Sequence, residues 1–273
     1  MPLGICYGLP TKRPTKMPNM QRKSFVNRLL YLARDLRSGQ LYTTLSRFCH
    51  GNVLDVGGWD FYLTAKRKGV SHINWTSLEL EADSALGIGD REFHMVQGNG
   101  CSMPFEDSSF DTVLCIQVLE HVFEPMKMVK EIARVLRPGG CVVALVPQTA
   151  NLHSAPHHYQ NFTRFWLLSA MDRADLEIVE LSPLGGAWST IASRLVYLLL
   201  QSRGKGKLTY PEAERNLAFY LLLPVMWLFA LICIPICLFL SLGDLVEEPN
   251  NHLCVARKPH HGSSEGAHEP NTL

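Results

Sequence analysis

The chain has 273 residues, enough for one domain with extensions, and 47% of them are hydrophobic. This composition excludes disorder for most of the chain, and the formal net charge of +1 does not indicate long-range attraction to nucleic acid. The eight cysteines stand singly, without the paired spacing of a zinc site, so no metal is predicted.

The N-terminal segment 1–19 is basic and rich in proline, and we expect it to be a flexible arm. It has no apolar core of signal-peptide type, which predicts cytoplasmic exposure. Its charge suits either a solvated tail or attraction to anionic lipid headgroups. In residues 20–36 apolar side chains recur at helical spacing opposite basic ones, which predicts an amphipathic helix. The polar tail 260–273 is expected to be disordered.

From residue 52 onward, short apolar runs alternate with amphipathic stretches, a pattern typical of βαβ units and a mainly parallel sheet. A helix is predicted over 124–136, ended by the Pro138, Gly139 and Gly140 run. Strands are predicted at 52–56, 73–79, 93–97, 111–116, 141–146, 176–181 and 252–257.

Polar and small residues lie at or just after the carboxyl ends of the first four predicted strands. Ligands of open α/β sheets bind beyond the carboxyl ends of the strands, so these positions are candidates for a nucleotide site. Glycine after the first strand lets the backbone approach a ligand closely, and a carboxylate after the second can accept hydrogen bonds from ribose hydroxyls. The candidates are Asp55, Gly57 and Gly58, then Glu79, then Asn99 and Gly100, then Cys115, Ile116 and Gln117.

Four short motifs occur in order between the third and fifth strands: Met-Pro-Phe-Glu-Asp at 103–107, Ser-Phe-Asp at 109–111, Val-Leu-Glu-His at 118–121 and Leu-Arg-Pro-Gly-Gly at 136–140. Together they resemble class I S-adenosylmethionine-dependent methyltransferases of type 11, over about residues 52–181 and the last strand at 253–257. The resemblance implies a Rossmann-like seven-stranded mainly parallel sheet with helices on both faces, and S-adenosylmethionine as cofactor.

The resemblance also implies roles for the candidate residues. Asp55 and Gly57, with Gly58 beside them, would form the loop under the methionine part of the cofactor, and Glu79 would hold the ribose. Asn99 and Gly100 would meet the adenine. Cys115, Ile116 and Gln117 would flank the sulfonium, and the alternative for these three is an ordinary strand end.

The chain departs from the family pattern at three positions. Trp59 and Phe61 stand where further glycines are usual, and their bulk could crowd the methionine end of the cofactor. Asn99 replaces a usual aspartate, but its amide oxygen can still accept a hydrogen bond from the adenine amino group. These departures leave open a protein that binds cofactor poorly.

Methyl transfer is an in-line displacement that needs mainly alignment and exclusion of water. A general base would help if the methyl acceptor is a hydroxyl group. His157 and His158 after the fifth strand are candidate catalytic residues, and His121 after the fourth is another. The alternative for each histidine is a loop residue that bonds to the backbone.

Residues 217–243 contain no charged side chain and are apolar enough to enter a membrane. Two full crossings would need about 40 apolar residues, and Pro224 and Pro235 are expected to break the helix. We therefore predict a kinked or re-entrant segment beside a helix at 188–201, with a buried helical cap over the site as the alternative. The predicted organisation is arm 1–19, methyltransferase domain 20–186, hydrophobic helical insertion 187–248, last strand 249–259 and tail 260–273.

These observations predict a methyltransferase at the cytoplasmic face of a membrane. Its expected acceptor is a small molecule, a lipid or a lipid-linked glycan. The alternative is a membrane-bound interaction module that has kept the fold and lost turnover. Nucleic acid is not an expected partner, and the oligomeric state is open.

Overall fold

The computed structural model describes residues 39–70, 74–81, 90–154, 156–202 and 215–260. The predicted arm, the predicted amphipathic helix at 20–36 and all but the first residue of the predicted tail lie outside these ranges. The description begins with helical residues 39–48, here α1, which the sequence pattern did not predict.

The chain folds around one seven-stranded sheet with the strand order β3-β2-β1-β4-β5-β7-β6. All pairings from β3 to β5 are parallel, whereas β7 runs antiparallel to both β5 and β6. The predicted fold class is confirmed, including the final strand that returns into the sheet. The strands are β1 Asn52–Val56, β2 Asn74–Glu79, β3 Phe93–Gln97, β4 Phe110–Ile116, β5 Leu136–Pro147, β6 Glu177–Leu184 and β7 Asn251–Arg257.

Helices cover both faces of the sheet because the strands have apolar side chains on both sides. The helices are α2 Phe61–Arg67, α3 Pro125–Val135, α4 Arg164–Asp172, α5 Ala187–Ser202 and α6 Leu217–Leu240. In β1, Leu54 packs in the core under α3 and α4, whereas Val53 packs in the core under α1 and α2. This alternation fixes the register, since a one-residue slip would exchange the two cores.

Two of the family motifs meet at the amino ends of the strands. Arg137 Nη1 lies 2.6 Å from Asp111 Oδ2, and the same oxygen accepts a hydrogen bond from Asn52 N at 2.8 Å. Burial raises the pKa of Asp111, but the Asn52 and Arg137 donors outweigh it and lower that pKa overall. These motifs therefore join β1, β4 and β5 at the end of the sheet opposite the candidate site.

The predicted end of α3 needs a correction. The helix stops at Val135, and Pro138, Gly139 and Gly140 belong to β5, not to a connection. Strand pairing begins at once with Phe110 opposite Leu136, followed by a register shift. A Cβ atom on Gly140 would lie 2.9 Å from two backbone oxygens, so glycine is needed for this close approach.

The hydrophobic insertion is an antiparallel helical hairpin of α5 and α6. Asp244 closes its base, where the two carboxylate oxygens accept hydrogen bonds from Trp188 N at 2.7 Å and Ser189 N at 3.1 Å. At the other end Trp227 Nε1 donates to Ser202 Oγ at 2.8 Å. The chain thus leaves the sheet after β6 and returns to it at β7.

The expected break in the hydrophobic helix is wrong. Pro224 and Pro235 both lie inside α6, which is continuous over 24 residues. Proline removes one backbone donor and crowds the preceding turn, yet a helix can accommodate it when neighbouring helix packing stabilises the rest. The structure also does not show the alternative, a buried cap. Only Ala230 and Cys237 of α6 are buried.

Candidate functional site

The candidate site lies at the carboxyl ends of β1 and β4. The chain runs from β1 outward through β2 to β3 and then crosses back to β4, so these two neighbouring strands form the switch point of the sheet. Such a switch point opens a crevice where ligands bind in this class of fold. The structure brings the predicted residues after β1, β2 and β4 to this edge.

Gly57 makes the turn after β1. Its φ is 68°, in the left-handed region where residues with a Cβ atom are rarely found. Its N–H donates to Leu78 O at 2.9 Å, which ties the turn to β2. An added Cβ would lie 3.1 Å from Val118, so glycine also permits the close approach of the segment after β4.

Gly58 and Asp55 occupy one tight space beneath the turn. A Cβ on Gly58 would lie 1.7 Å from Asp55 Oδ2, so only glycine leaves room for this carboxylate. Asp55 is fully buried, and its oxygens make no hydrogen bond of ordinary geometry; the Trp75 indole N–H is a nearby donor that partly offsets the burial. Burial, and then the charge of Glu79, raise the pKa of Asp55 well above its usual value.

Glu79 holds the turn from the end of β2. Its Oε1 accepts hydrogen bonds from Trp59 N at 2.6 Å and from Ser77 Oγ at 2.7 Å. The side chain is nearly buried, with 7% of its surface exposed. Its position suits the predicted ribose contact, and the same carboxylate also orders the backbone of the turn.

The two bulky residues in the turn are placed differently. Phe61 begins α2 and its ring lies 6.3 Å from that of Tyr42 and 6.2 Å from that of Trp75, within the core under α1 and α2. It is therefore directed away from the crevice. Trp59 is partly buried and has a φ of 52°, a strained conformation for a residue other than glycine.

Asn99 and Gly100 stabilise the loop after β3. Asn99 Oδ1 accepts a hydrogen bond from Cys101 N at 2.8 Å, the pattern of an Asx turn. Its oxygen is thus already engaged in its own loop, although it retains a second lone pair. Gly100 is buried, and a Cβ there would lie 2.3 Å from Met128 Cε, so a larger residue would require the Met128 side chain on α3 to move.

The residues at the end of β4 contribute unequally. Cys115 is buried in the core, and burial raises the pKa of its thiol. Ile116 is partly buried. Gln117 has a φ of 56°, and its Nε2 donates to Asn251 Oδ1 at 3.0 Å on β7. Of the three, only Gln117 has a left-handed backbone conformation, a strained conformation that is common at functional sites.

The histidines after β4 and β5 form one cluster. His121 Nδ1 lies 2.6 Å from His157 O, and the His121 ring centroid lies 5.8 Å from that of His158. Burial lowers the pKa of His121 to about 4, and burial also lowers the pKa of His158. His157 Nδ1 lies 3.2 Å from Tyr159 Oη, so its ring faces a different neighbour.

Two members of this cluster, Glu120 and His153, were not predicted from the sequence. Glu120 is fully buried beside His121 on the 3-10 helix Leu119–His121, and the His153 ring centroid lies 4.8 Å from that of His121. Glu120 could have been noticed as the acid next to a candidate histidine. His153 could be found only from the path of the loop after β5, which Tyr159 N ties to Glu120 O at 2.9 Å.

Part of this chain is similar in sequence to known methyltransferases. Residues 61–144 match a family model described as a methyltransferase domain. An uncharacterized methyltransferase of Mycobacterium sp. (strain KMS) is 38% identical over 95 residues, which cover 33% of this chain and 36% of the relative. The chain thus matches about a third of the length of such curated relatives.

Two solved structures share the fold. One is a putative methyltransferase in complex with the Haloferax volcanii Trm112 activator, with 17% identity, a TM-score of 0.55, and coverage of 86% of this chain and 95% of that one. The other is the Haemonchus contortus phosphoethanolamine N-methyltransferase 2 in complex with S-adenosyl-L-methionine, with 17% identity, a TM-score of 0.53, and coverage of 88% and 61%. The solved structures share the fold of this chain, and residues 61–144 are similar to methyltransferase domains.

Proposed function

We propose that this chain is an S-adenosylmethionine-dependent methyltransferase whose acceptor is a lipid, a lipid-linked glycan or another small molecule at a membrane surface. The observation that carries the proposal is the position of Glu79 and the left-handed turn at Gly57 at the switch point of the sheet, on the same domain that carries the exposed α5/α6 hairpin.

The residues around the turn fit the cofactor. A carboxylate at the end of the second strand is the group that recognises ribose hydroxyls in this class of fold, and Glu79 stands there. The buried Asp55 carboxyl group lies directly under the turn, and its oxygens make no hydrogen bond of ordinary geometry. The cofactor would supply the methyl group on a sulfonium leaving group. The protein would orient it through Glu79 and exclude water through the surrounding loops.

The hairpin supports attachment to a membrane. Leu217–Gly243 is the one segment of the described residues long and apolar enough to cross a bilayer by length and composition, and 11% of its most apolar window is buried. Leu221 is 70% exposed and Phe239 71% exposed. A soluble monomer rarely exposes such a continuous apolar face, so contact with lipid accounts for it.

The hairpin also adjoins the candidate acceptor side. Arg194 on α5 hydrogen bonds to Asn151 Oδ1 in the loop after β5, and Asn151 O accepts from His153 Nδ1 at 2.9 Å. A hydrophobic methyl acceptor bound at the hairpin would therefore lie close to the histidine cluster. Because both ends of the hairpin join the same sheet, the domain would stay on one face, and we propose the cytoplasmic face.

The cofactor part is tested by calorimetry with S-adenosylmethionine and the full chain. Binding at one site per chain supports the proposal, and absence of binding by a folded protein overturns it.

The membrane part is tested by flotation with liposomes of neutral and anionic phospholipid. Leu221→Glu with Phe239→Glu should abolish flotation, whereas Val179→Glu on the exposed β6 edge should leave it unchanged. Equal flotation of all variants would contradict the hairpin as the attachment site.

Trp59 favours a second candidate function, a membrane-bound interaction module without methyltransferase activity. The indole belongs to a turn in which glycines are usual, and its strained backbone is held by Glu79. A protein that keeps the fold without turnover would show no cofactor binding and yet float with liposomes. The two measurements above therefore separate the enzyme from a membrane-bound interaction module.

A further inference from the structure

We propose that Glu120, His121 and His153 form a binding site for one divalent transition-metal ion of the zinc class. Each residue offers one ligand atom, and the three atoms lie within 4.8 Å of one another. Glu120 and His121 come from the 3-10 helix after β4, and His153 comes from the loop after β5. The site thus depends on two segments that only the folded sheet brings together.

Hydrogen bonds to backbone carbonyls orient both imidazoles. His121 Nδ1 lies 2.6 Å from His157 O, and His153 Nδ1 lies 2.9 Å from Asn151 O. A carbonyl oxygen only accepts, so each Nδ1 carries the hydrogen and each Nε2 presents its lone pair. Metal-binding histidines typically have this arrangement, in which the second ring nitrogen donates to a carbonyl or carboxylate.

Glu120 supplies the charge that a cation would neutralise. Its side chain is fully buried, and neither carboxylate oxygen has a hydrogen-bond partner. His121 Nε2 lies 3.9 Å from Oε1, too far for a hydrogen bond, and a zinc ion with ligand distances of about 2.0–2.2 Å would draw these two atoms closer together. A buried carboxylate without a partner is costly, and a bound cation would remove that cost.

His158 supports the site without being a ligand. Its Nδ1 accepts a hydrogen bond from His153 N at 3.3 Å, and its Nε2 lies 3.3 Å from Asn161 Oδ1. Its ring lies 4.4 Å from the His153 ring between centroids. Both nitrogens are therefore occupied, and His158 acts as a positioning residue for His153.

The ligand set selects the class of ion. Two imidazoles and one carboxylate suit zinc and its neighbours, whereas magnesium and calcium prefer oxygen ligands only. Three protein ligands leave at least one position open for an oxygen ligand such as water. Metal binding at this site does not depend on the proposed methyltransferase activity. If the bound ion also held an oxygen atom of the methyl acceptor, that role would rest on the proposed function.

The test uses the full chain after treatment with a chelator. Zn²⁺ titrated against a chromophoric chelator should bind at one ion per chain, with Mg²⁺ and Ca²⁺ failing to compete. Glu120→Gln and His153→Ala should each weaken Zn²⁺ binding by about a hundredfold. Loss of a residue that only hydrogen bonds to a metal ligand already lowers metal affinity by about tenfold to a hundredfold. His50→Ala, a partly exposed histidine near α1, is the matched control and should keep wild-type affinity.

Thermal unfolding guards against variants that simply misfold. Without metal, Glu120→Gln should be at least as stable as the wild type, because it replaces a buried carboxyl group without hydrogen-bond partners by a neutral amide of nearly the same shape. Zn²⁺ should raise the melting temperature of the wild type and leave that of Glu120→Gln unchanged. Undiminished Zn²⁺ binding by both variants, or a preference for Mg²⁺, would overturn the site. Calorimetry with S-adenosylmethionine reports on the proposed function separately.

Discussion

Glu79 Oε1 accepts a hydrogen bond from the backbone N–H of Trp59 at 2.6 Å, which joins the end of β2 to the turn after β1. The carboxylate therefore has two tasks in the proposed enzyme. It would recognise the ribose of the cofactor, and it holds a strained turn in the conformation that the crevice requires. Substitutions at either residue should affect cofactor binding before they affect the fold.

Glu79→Gln should weaken S-adenosylmethionine binding by about tenfold to a hundredfold, because hydrogen bonds to a charged group contribute about 1.5–3 kcal/mol. Calorimetry measures the change. Glu81→Gln is the matched control, since Glu81 is exposed two residues further along the chain and should keep wild-type affinity. Equal affinity of both variants would remove Glu79 from the cofactor site.

Trp59→Gly should tighten S-adenosylmethionine binding several-fold, because it removes the indole from the turn. Its effect on the free energy of unfolding should stay within about 1 kcal/mol, since relief of the left-handed strain and the added entropy of the unfolded chain oppose each other. Trp59→Phe keeps a ring and should bind like the wild type. Weaker binding by Trp59→Gly would show that the indole contributes to the site.

The Asp111 and Arg137 pair predicts a specific acid response. The folded pKa of Asp111 is lowered, so its contribution is complete above the ordinary value of about 3.9 and is lost as pH falls through the folded pKa. Urea unfolding between pH 7 and pH 3 should therefore show a loss of stability at the acid end that is smaller in Asp111→Asn.

At pH 7, Asp111→Asn should lower the free energy of unfolding by about 1–2 kcal/mol, with Arg137 partly exposed and the pair correspondingly screened. S-adenosylmethionine affinity should not change, because the pair lies at the opposite end of the sheet. An altered affinity with unchanged stability would contradict the assignment of these motifs to the fold.

Asp244→Ala should loosen the base of the α5/α6 hairpin. The carboxylate accepts hydrogen bonds from Trp188 N and Ser189 N, the role of a helix cap, and loss of such a cap costs about 1 kcal/mol. Hydrogen exchange should become faster in the first turn of α5. Asp172→Ala, at an exposed position on α4, should leave that exchange unchanged. Unaltered protection in Asp244→Ala would mean that helix packing alone holds the hairpin.

Much of the fold could be read from local pattern. Alternating short apolar runs located six strands within three residues, and β5 from its sixth residue onward, since a strand buried on both faces must be almost wholly apolar. The turn at Gly57 and the acid at Glu79 could be predicted because Gly57 directly follows β1 and Glu79 ends β2, and parallel strands place their carboxyl ends along one edge. Thr163 caps α4, where its side chain accepts a hydrogen bond from Trp166 N, and threonine is one of the residue types that favour this position.

Other features depended on contacts between distant segments. Packing against α5 let α6 continue through Pro224 and Pro235, and this could not be inferred from proline propensity. From the sequence, Phe61 was expected to crowd the cofactor. In the structure its ring packs in the aromatic core beside Tyr42 and Trp75. Glu120 and His153 are 33 positions apart, and only the loop path over the sheet makes them neighbours. Periodicity reports which residues are buried, whereas long-range packing selects which buried residues meet.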